Sequence, residues 1–94
     1  MVITVKLIGI LRHAAGAGEL ILDHKGTISM KELMGELTRK LPALTRSLID
    51  TQPEDPAPNA LIFVNGREIS ILNGLNTIVK DGTEVVLVPV VHGG

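Results

Sequence analysis

A chain of 94 residues accommodates one small domain with a single core and no second domain. Its 45% apolar content and mean hydropathy of +0.35 specify a folded globule, while a formal net charge of -1 and one aromatic residue, Phe63, exclude the basic footprint and stacking platform of a nucleic-acid binder. The absence of cysteine excludes disulfides, thiolate metal sites and a thiol nucleophile.

The chain opens on an alternating segment, residues 2 to 10, with Ile3, Val5 and Leu7 on one face and Val2, Thr4, Lys6 and Ile8 on the other. Period two with β-branched residues predicts a first strand. The segment lacks the long apolar centre of a signal peptide, and no apolar run approaches the ~20 residues needed to span a bilayer. A cytoplasmic protein with no membrane partner is expected. Gly16-Ala17-Gly18 supplies a turn, and residues 19 to 23 read as a second strand completing a short antiparallel hairpin.

Ser29 followed by Glu32 is a capping box, with Ile28 placed to staple against Leu33. The helix it starts carries Leu33, Leu37 and Leu41 at four-residue spacing, beside Met30, Met34 and Leu44, which makes one apolar stripe for a sheet. Pro42 ends it by removing a donor and disfavouring helical geometry at Leu41. Residues 50 to 59 hold Pro53, Pro56 and Pro58 with Glu54 and Asp55, a composition that buries little, and predict a mobile surface loop.

Leu61 to Val64, Asn65-Gly66, then Arg67 to Ile69 read as strand, turn and strand, because Asn-Gly takes the positive φ values of a type I′ turn. Phe63 is expected in the core. Leu72, Leu75, Ile78 and Val79 fall in an irregular connector around Gly74, expected to make a short turn of helix over the core, and Asp81-Gly82 turns the chain again. Glu84 to about Val88 is apolar on both faces, as in a strand at the middle of a sheet, and Pro89 marks where the chain leaves it. Strand, strand, helix, strand, strand and a central last strand parallel to the first make an α+β, β-grasp arrangement: a mixed sheet of about five strands packed on one main helix.

Val64-Asn65-Gly66, the segment Asp81-Gly82-Thr83-Glu84-Val85-Val86-Leu87-Val88-Pro89 and the closing Gly93-Gly94, in this order, resemble the small ubiquitin-like sulfur carriers. The likeness is greatest to the small subunits of molybdopterin synthase. It covers the whole chain. Departures are local: Pro89-Val90-Val91-His92-Gly93-Gly94 stands where that family has Pro-Pro-Val-Ser-Gly-Gly, and Arg12-His13-Ala14-Ala15-Gly16 matches its Arg-Glu-x-x-Gly loosely.

The resemblance implies that the C-terminal carboxylate of Gly94 is adenylated by a ubiquitin-activating-type adenylyltransferase using ATP. A sulfur donor then converts it to a thiocarboxylate, and the synthase large subunit uses the sulfur to make molybdopterin. The protein would be a cosubstrate with no active site or stably bound cofactor of its own. The alternatives are a ubiquitin-like modifier conjugated through Gly94 and a non-catalytic β-grasp binding module.

The chemistry fits those residue types. A terminal carboxyl with a reference pKa of about 3.3 to 3.7 is ionised at cellular pH, and two glycines without Cβ atoms thread a cleft that any side chain would obstruct. Residues 90 to 94 are expected to form an extended tail reaching roughly 16 Å beyond the body. Gly93, His92, Val91, Val90 and Pro89 are candidate partner contacts, with Val90 and Val91 an apolar collar at the base of the tail. Arg12 and Arg67 join them by resemblance only. His92 has no orienting group and is read as spacer or contact rather than base, and the spacing of His13, His24 and His92 fits no metal site.

Overall fold

A computed structural model describes residues 2–44 and 60–90. The main sheet has five strands: β1 (Val2–Leu7), β2 (Glu19–Asp23), β4 (Ala60–Val64), β5 (Arg67–Glu68) and β7 (Glu84–Pro89), in the order β2-β1-β7-β4-β5. β7 lies at the centre, parallel to β1 and antiparallel to β4. The main helix, α2 (Met30–Lys40), covers one face, burying Met30, Leu33, Met34 and Leu37.

Alternation along each strand decides what meets that helix. Ile3, Val5 and Leu7 of β1, Val85 and Leu87 of β7, and Ile62 of β4 are at most 2% exposed. Burying side chains of this size contributes about 1.5 to 3 kcal/mol each, so this layer carries the stability of the domain. Phe63 is the exception to expectation: between the inward Ile62 and Val64 it must point the other way, and it lies half-buried on the open face opposite Val86. Leu44 is buried and Leu41 packs against the core from its margin.

The capping box forms as expected. Ser29 Oγ accepts from the Glu32 N–H at 3.1 Å, and Glu32 Oε1 accepts from the Ser29 N–H at 3.4 Å. Ile28 and Leu33 are both buried. The helix stops at Lys40, and Leu41, before Pro42, is extended at φ −131°, ψ 79°. At the Asn65-Gly66 turn both residues have positive φ, 49° and 83°, as a type I′ hairpin requires.

Two elements depart from the sequence reading. β1 ends at Leu7, and the link to β2 contains a six-residue helix, α1 (Ile10–Ala15), in place of a simple hairpin. Leu11 is buried, with Ala14 and Ala15 packed against the core at helical spacing, and Gly16 closes the helix at φ 74°, its N–H shared by the Arg12 and His13 carbonyls. The connector before β7 holds the expected short helical turn, with 3-10 turns at Ile69–Ile71 and Gly74–Asn76, but it then adds an unforeseen strand, β6 (Ile78–Val79), which pairs with β3 (Ile28–Ser29) beside the start of α2. The expected loop at 50 to 59 lies outside the described residues.

Candidate functional site

The site is built around the last residues of β7. The strand is gripped on both sides: Val85 and Leu87 pair with Val5 and Leu7 of β1, and Ile62 lies opposite Leu87 on β4. The Ile8 N–H then donates to the Leu87 carbonyl at 3.1 Å. Pro89 is the last strand residue, opposite Ala60, and with no N–H it ends the ladder.

What stands beside Pro89 is Gly9. It adopts φ 60°, ψ −131° at the N-terminus of α1, and a Cβ there would lie 3.2 Å from the Pro89 Cγ. The positive φ favours glycine, and a Cβ would also press on the proline ring. Around this exit the surface is aliphatic. Ile8, Ile10, Leu61 and Val90 are 45%, 61%, 45% and 39% exposed, and Val88, paired with Leu61, and Val86, paired with Phe63, continue the patch along the open face. Grouped exposed side chains of this kind mark a docking surface more often than chance does.

Arg12 lies one helical turn beyond Gly9, to whose carbonyl its N–H donates at 3.1 Å. Its guanidinium crosses Gly18, where an added Cβ would sit 3.1 Å from Nε, and with His13, Gly16 and Ala17 it lines a shallow cleft of about 290 Å³. Arg67 is exposed on β5 opposite Val64, at the far end of β4 from Ala60. The structure therefore groups Pro89, Val90 and the α1 residue Arg12 at one end of the molecule and puts Arg67 at the other. Val91, His92, Gly93 and Gly94 lie outside the described residues. Among the described residues no group of His, Cys, Asp or Glu is arranged to hold a metal ion, and no helix is long and apolar enough to cross a membrane.

Sequence reasoning missed Gly9, Ile8, Ile10 and Leu61. The one local signal was Gly9, two residues past the end of β1.

A β-grasp sheet whose central strand releases the chain between a glycine and an aliphatic rim defines a small ubiquitin-like carrier or modifier. Residues 5–94 match the ThiS family, and the chain belongs to it. It is 50% identical over 38 residues to a putative sulfur carrier protein of Archaeoglobus fulgidus, a stretch that spans 40% of this chain and 43% of that protein. Over 99% of this chain and 96% of the other, it superposes on the small archaeal modifier protein 1 (SAMP1) of Methanosarcina acetivorans with a TM-score of 0.82 and 34% identity. A putative molybdopterin converting factor, subunit 1, from Pyrococcus furiosus matches with a TM-score of 0.75 and 21% identity over 97% and 99% of the two chains, a likeness of fold.

Proposed function

We propose that the protein is a sulfur carrier with Gly94 as its C-terminal residue, activated and thiolated by a partner. The observation that carries this reading is the exit at Pro89: a central strand held on both sides ends at a residue without a donor, beside a glycine and inside an aliphatic rim. A partner that grips the rim receives whatever residues 90–94 carry. Membership of the ThiS family supports the same chemistry.

In the proposed sequence, a carboxylate oxygen of Gly94 attacks the α-phosphorus of ATP in a ubiquitin-activating-type adenylyltransferase. The bond to pyrophosphate breaks and an acyl adenylate forms. Hydrosulfide then attacks the carbonyl carbon, AMP leaves with the C–O electron pair, one proton is released and a thiocarboxylate remains. With a persulfide donor the product is an acyl disulfide; a second thiolate attacks its donor-side sulfur, forming a disulfide with the donor and releasing the same thiocarboxylate. The carrier supplies reach and a side-chain-free terminus, and the partner supplies ATP and the catalytic groups. Val90, Val91, His92 and Gly93 act as spacer and contact, and Arg12 as a docking residue beside the exit. We assign the sulfur to molybdopterin synthesis through a synthase large subunit, on the resemblance of residues 64 to 66 and 81 to 89 to that family's small subunits.

A second reading, in which a lysine amine attacks the same adenylate and the protein becomes an isopeptide-linked modifier, is favoured by the 34% identity to an archaeal modifier over nearly the whole chain. Intact-mass spectrometry of protein from a host holding its activating partner decides. A carrier acquires an oxygen-to-sulfur exchange in its C-terminal fragment, lost on deletion of Gly93 and Gly94 while thermal stability is unchanged. Gly94 remnants on lysines of other proteins would establish the modifier instead, and full biological activity of the deletion variant would leave only a binding module.

A further inference from the structure

Asparagine is followed by glycine twice in the chain, at Asn65-Gly66 and at Asn73-Gly74. The pairing is chemically reactive, because glycine has no Cβ to shield its backbone nitrogen and that nitrogen can attack the side-chain carbonyl of the residue before it. Both asparagines are exposed. The fold restrains them in opposite ways.

Asn65 is held by its side chain. Its Oδ1 accepts from the Glu84 N–H at 2.9 Å, and its own N–H donates to the Glu84 carbonyl at 2.8 Å. Glu84 begins β7, the strand paired on both sides, so turning the Asn65 carboxamide toward Gly66 breaks a bond to the best-held strand of the sheet.

Asn73 has no such anchor. It stands at the N-terminus of the 3-10 turn Gly74–Asn76 at φ −108°, ψ 25°, and its side chain makes no capping bond. Among the described residues its main chain alone is engaged: the N–H donates to Thr77 Oγ1 at 3.1 Å and the carbonyl accepts from the Asn76 N–H at 3.0 Å. As the first residue of the turn, Gly74 has no intrahelical acceptor for its N–H. It sits at φ 57°, and the space a Cβ would fill is open. Leu72 and Leu75 pack against the core on either side, so the reactive peptide is a short link between two anchors. A three-residue 3-10 turn opens locally without unfolding the domain.

We infer that Asn73 is a site of spontaneous covalent modification, converted through a succinimide to aspartate and isoaspartate, while the fold protects Asn65. Solvent base takes the Gly74 amide proton, the nitrogen bonds to Asn73 Cγ, the Cγ–Nδ2 bond breaks and ammonia leaves with a proton from water. Water then opens the ring. Addition at Cγ gives aspartate, addition at the main-chain carbonyl gives isoaspartate, and nothing is oxidised or reduced. Either product puts a new carboxylate at the start of a turn that packs against α2. Aspartate caps such a turn as well as asparagine does, whereas isoaspartate lengthens the main chain by a methylene there. The inference stands independently of the sulfur-carrier reading.

The test incubates the full chain in mildly alkaline buffer, folded and in denaturant, and follows each asparagine by peptide mapping with mass spectrometry against synthetic aspartate and isoaspartate standards. In the folded chain Asn73 is expected to convert about tenfold faster than Asn65, the order of factor that the extra bond to Glu84 provides, and to yield both isomers. In denaturant the two rates are expected to converge. Asn73→Asp, which already carries one product, is expected to fold and to lose the fast phase. Conversion of Asn65 as fast as Asn73 in the folded chain, or none at Asn73, would overturn the inference. A gap that persists in denaturant would assign the difference to neighbouring sequence rather than to the fold, and aspartate without isoaspartate would mean direct hydrolysis without the Gly74 nitrogen; either result sinks it too.

Discussion

The two ends of β7 are held in opposite ways. At its start, Asp81 Oδ1 accepts from the Val2 N–H at 2.6 Å, the Gly82 N–H donates to the Val2 carbonyl at 2.8 Å, and the Thr4 N–H donates to the Thr83 carbonyl at 3.1 Å. Asn65, held at positive φ in its turn, brackets Glu84: its Oδ1 accepts from the Glu84 N–H at 2.9 Å and its own N–H donates to the Glu84 carbonyl at 2.8 Å. At its far end stand a proline with no donor, a glycine whose added Cβ would press on that proline at 3.2 Å, and exposed aliphatic side chains. One end is tied by directional bonds that fix register. The other is released into a surface that any apolar partner groove can cover.

The largest expected effect comes from cutting the strand loose between its ends. Leu87 is fully buried under α2, whereas its neighbour Val88 is half-buried on the open face. Leu87→Ala is expected to lower stability by about 2 to 5 kcal/mol, the range for a core leucine that leaves a cavity. Val88→Ala is expected to cost under about 1.5 kcal/mol, closer to a surface change. Denaturant unfolding with an unchanged slope measures both. Equal losses would show that the two faces of β7 are not energetically distinct.

A smaller effect distinguishes the ends directly. Gly9 and Gly82 both have positive φ, 60° and 79°, but a Cβ at Gly82 meets nothing within 4 Å whereas one at Gly9 meets Pro89. Gly9→Ala and Gly82→Ala are therefore each expected to cost roughly 1 to 3 kcal/mol of backbone strain. Only Gly9→Ala should also displace Pro89 and slow the proposed C-terminal adenylation. If both variants are adenylated at equal rates after correction for the folded fraction, the contact at Pro89 does not set the direction of the exit.

The turns at the tied end were legible in the sequence because turn chemistry is local, although the bonds they make to Val2, Thr4 and Glu84 are not. Asn65-Gly66, Asp81-Gly82 and the Ser29 to Glu32 capping box each announce a specific backbone geometry within four residues. The apolar run from Val85 to Val88 announced a central strand, and Pro89 its end. The released end was legible only in part. Exposure of Ile8, Ile10 and Leu61 depends on what lies across the sheet from them, which no local pattern encodes. Helix α1 is too short for period 3.6 to emerge over the alternation that precedes it, and β3 and β6 are two-residue strands stabilised by each other across a long stretch of sequence, Ile28 pairing with Val79 and Ser29 with Ile78. Phe63 shows the same limit: its size suggested the core, and the parity of its strand put it outside.

The smallest expected effect lies at the tied end and shows what the directional contacts there do not do. Lys6 Nζ meets Glu84 Oε2 at 3.1 Å, with both side chains nearly half exposed. The hydrogen bond to Glu84, followed by its charge, raises the Lys6 pKa above 10.5, desolvation opposes the rise, and Glu19 adds to it. A raised lysine pKa contributes stability fully present below the unfolded value and lost as pH rises through the folded one, so any contribution fades only above about pH 10.5. Solvent screening keeps an exposed pair of this kind weak. Glu84→Gln is therefore expected to lower the Lys6 pKa, followed by NMR of its ε-methylene, without a measurable change in unfolding midpoint at neutral pH or in adenylation. Because Glu19 also acts on Lys6, the single variant should leave part of the elevation, and adding Glu19→Gln should remove more. An unchanged Lys6 titration in the double variant would mean that the pair does not form in solution, leaving the backbone bonds of Asn65, Gly82 and Thr83 to hold this end of β7.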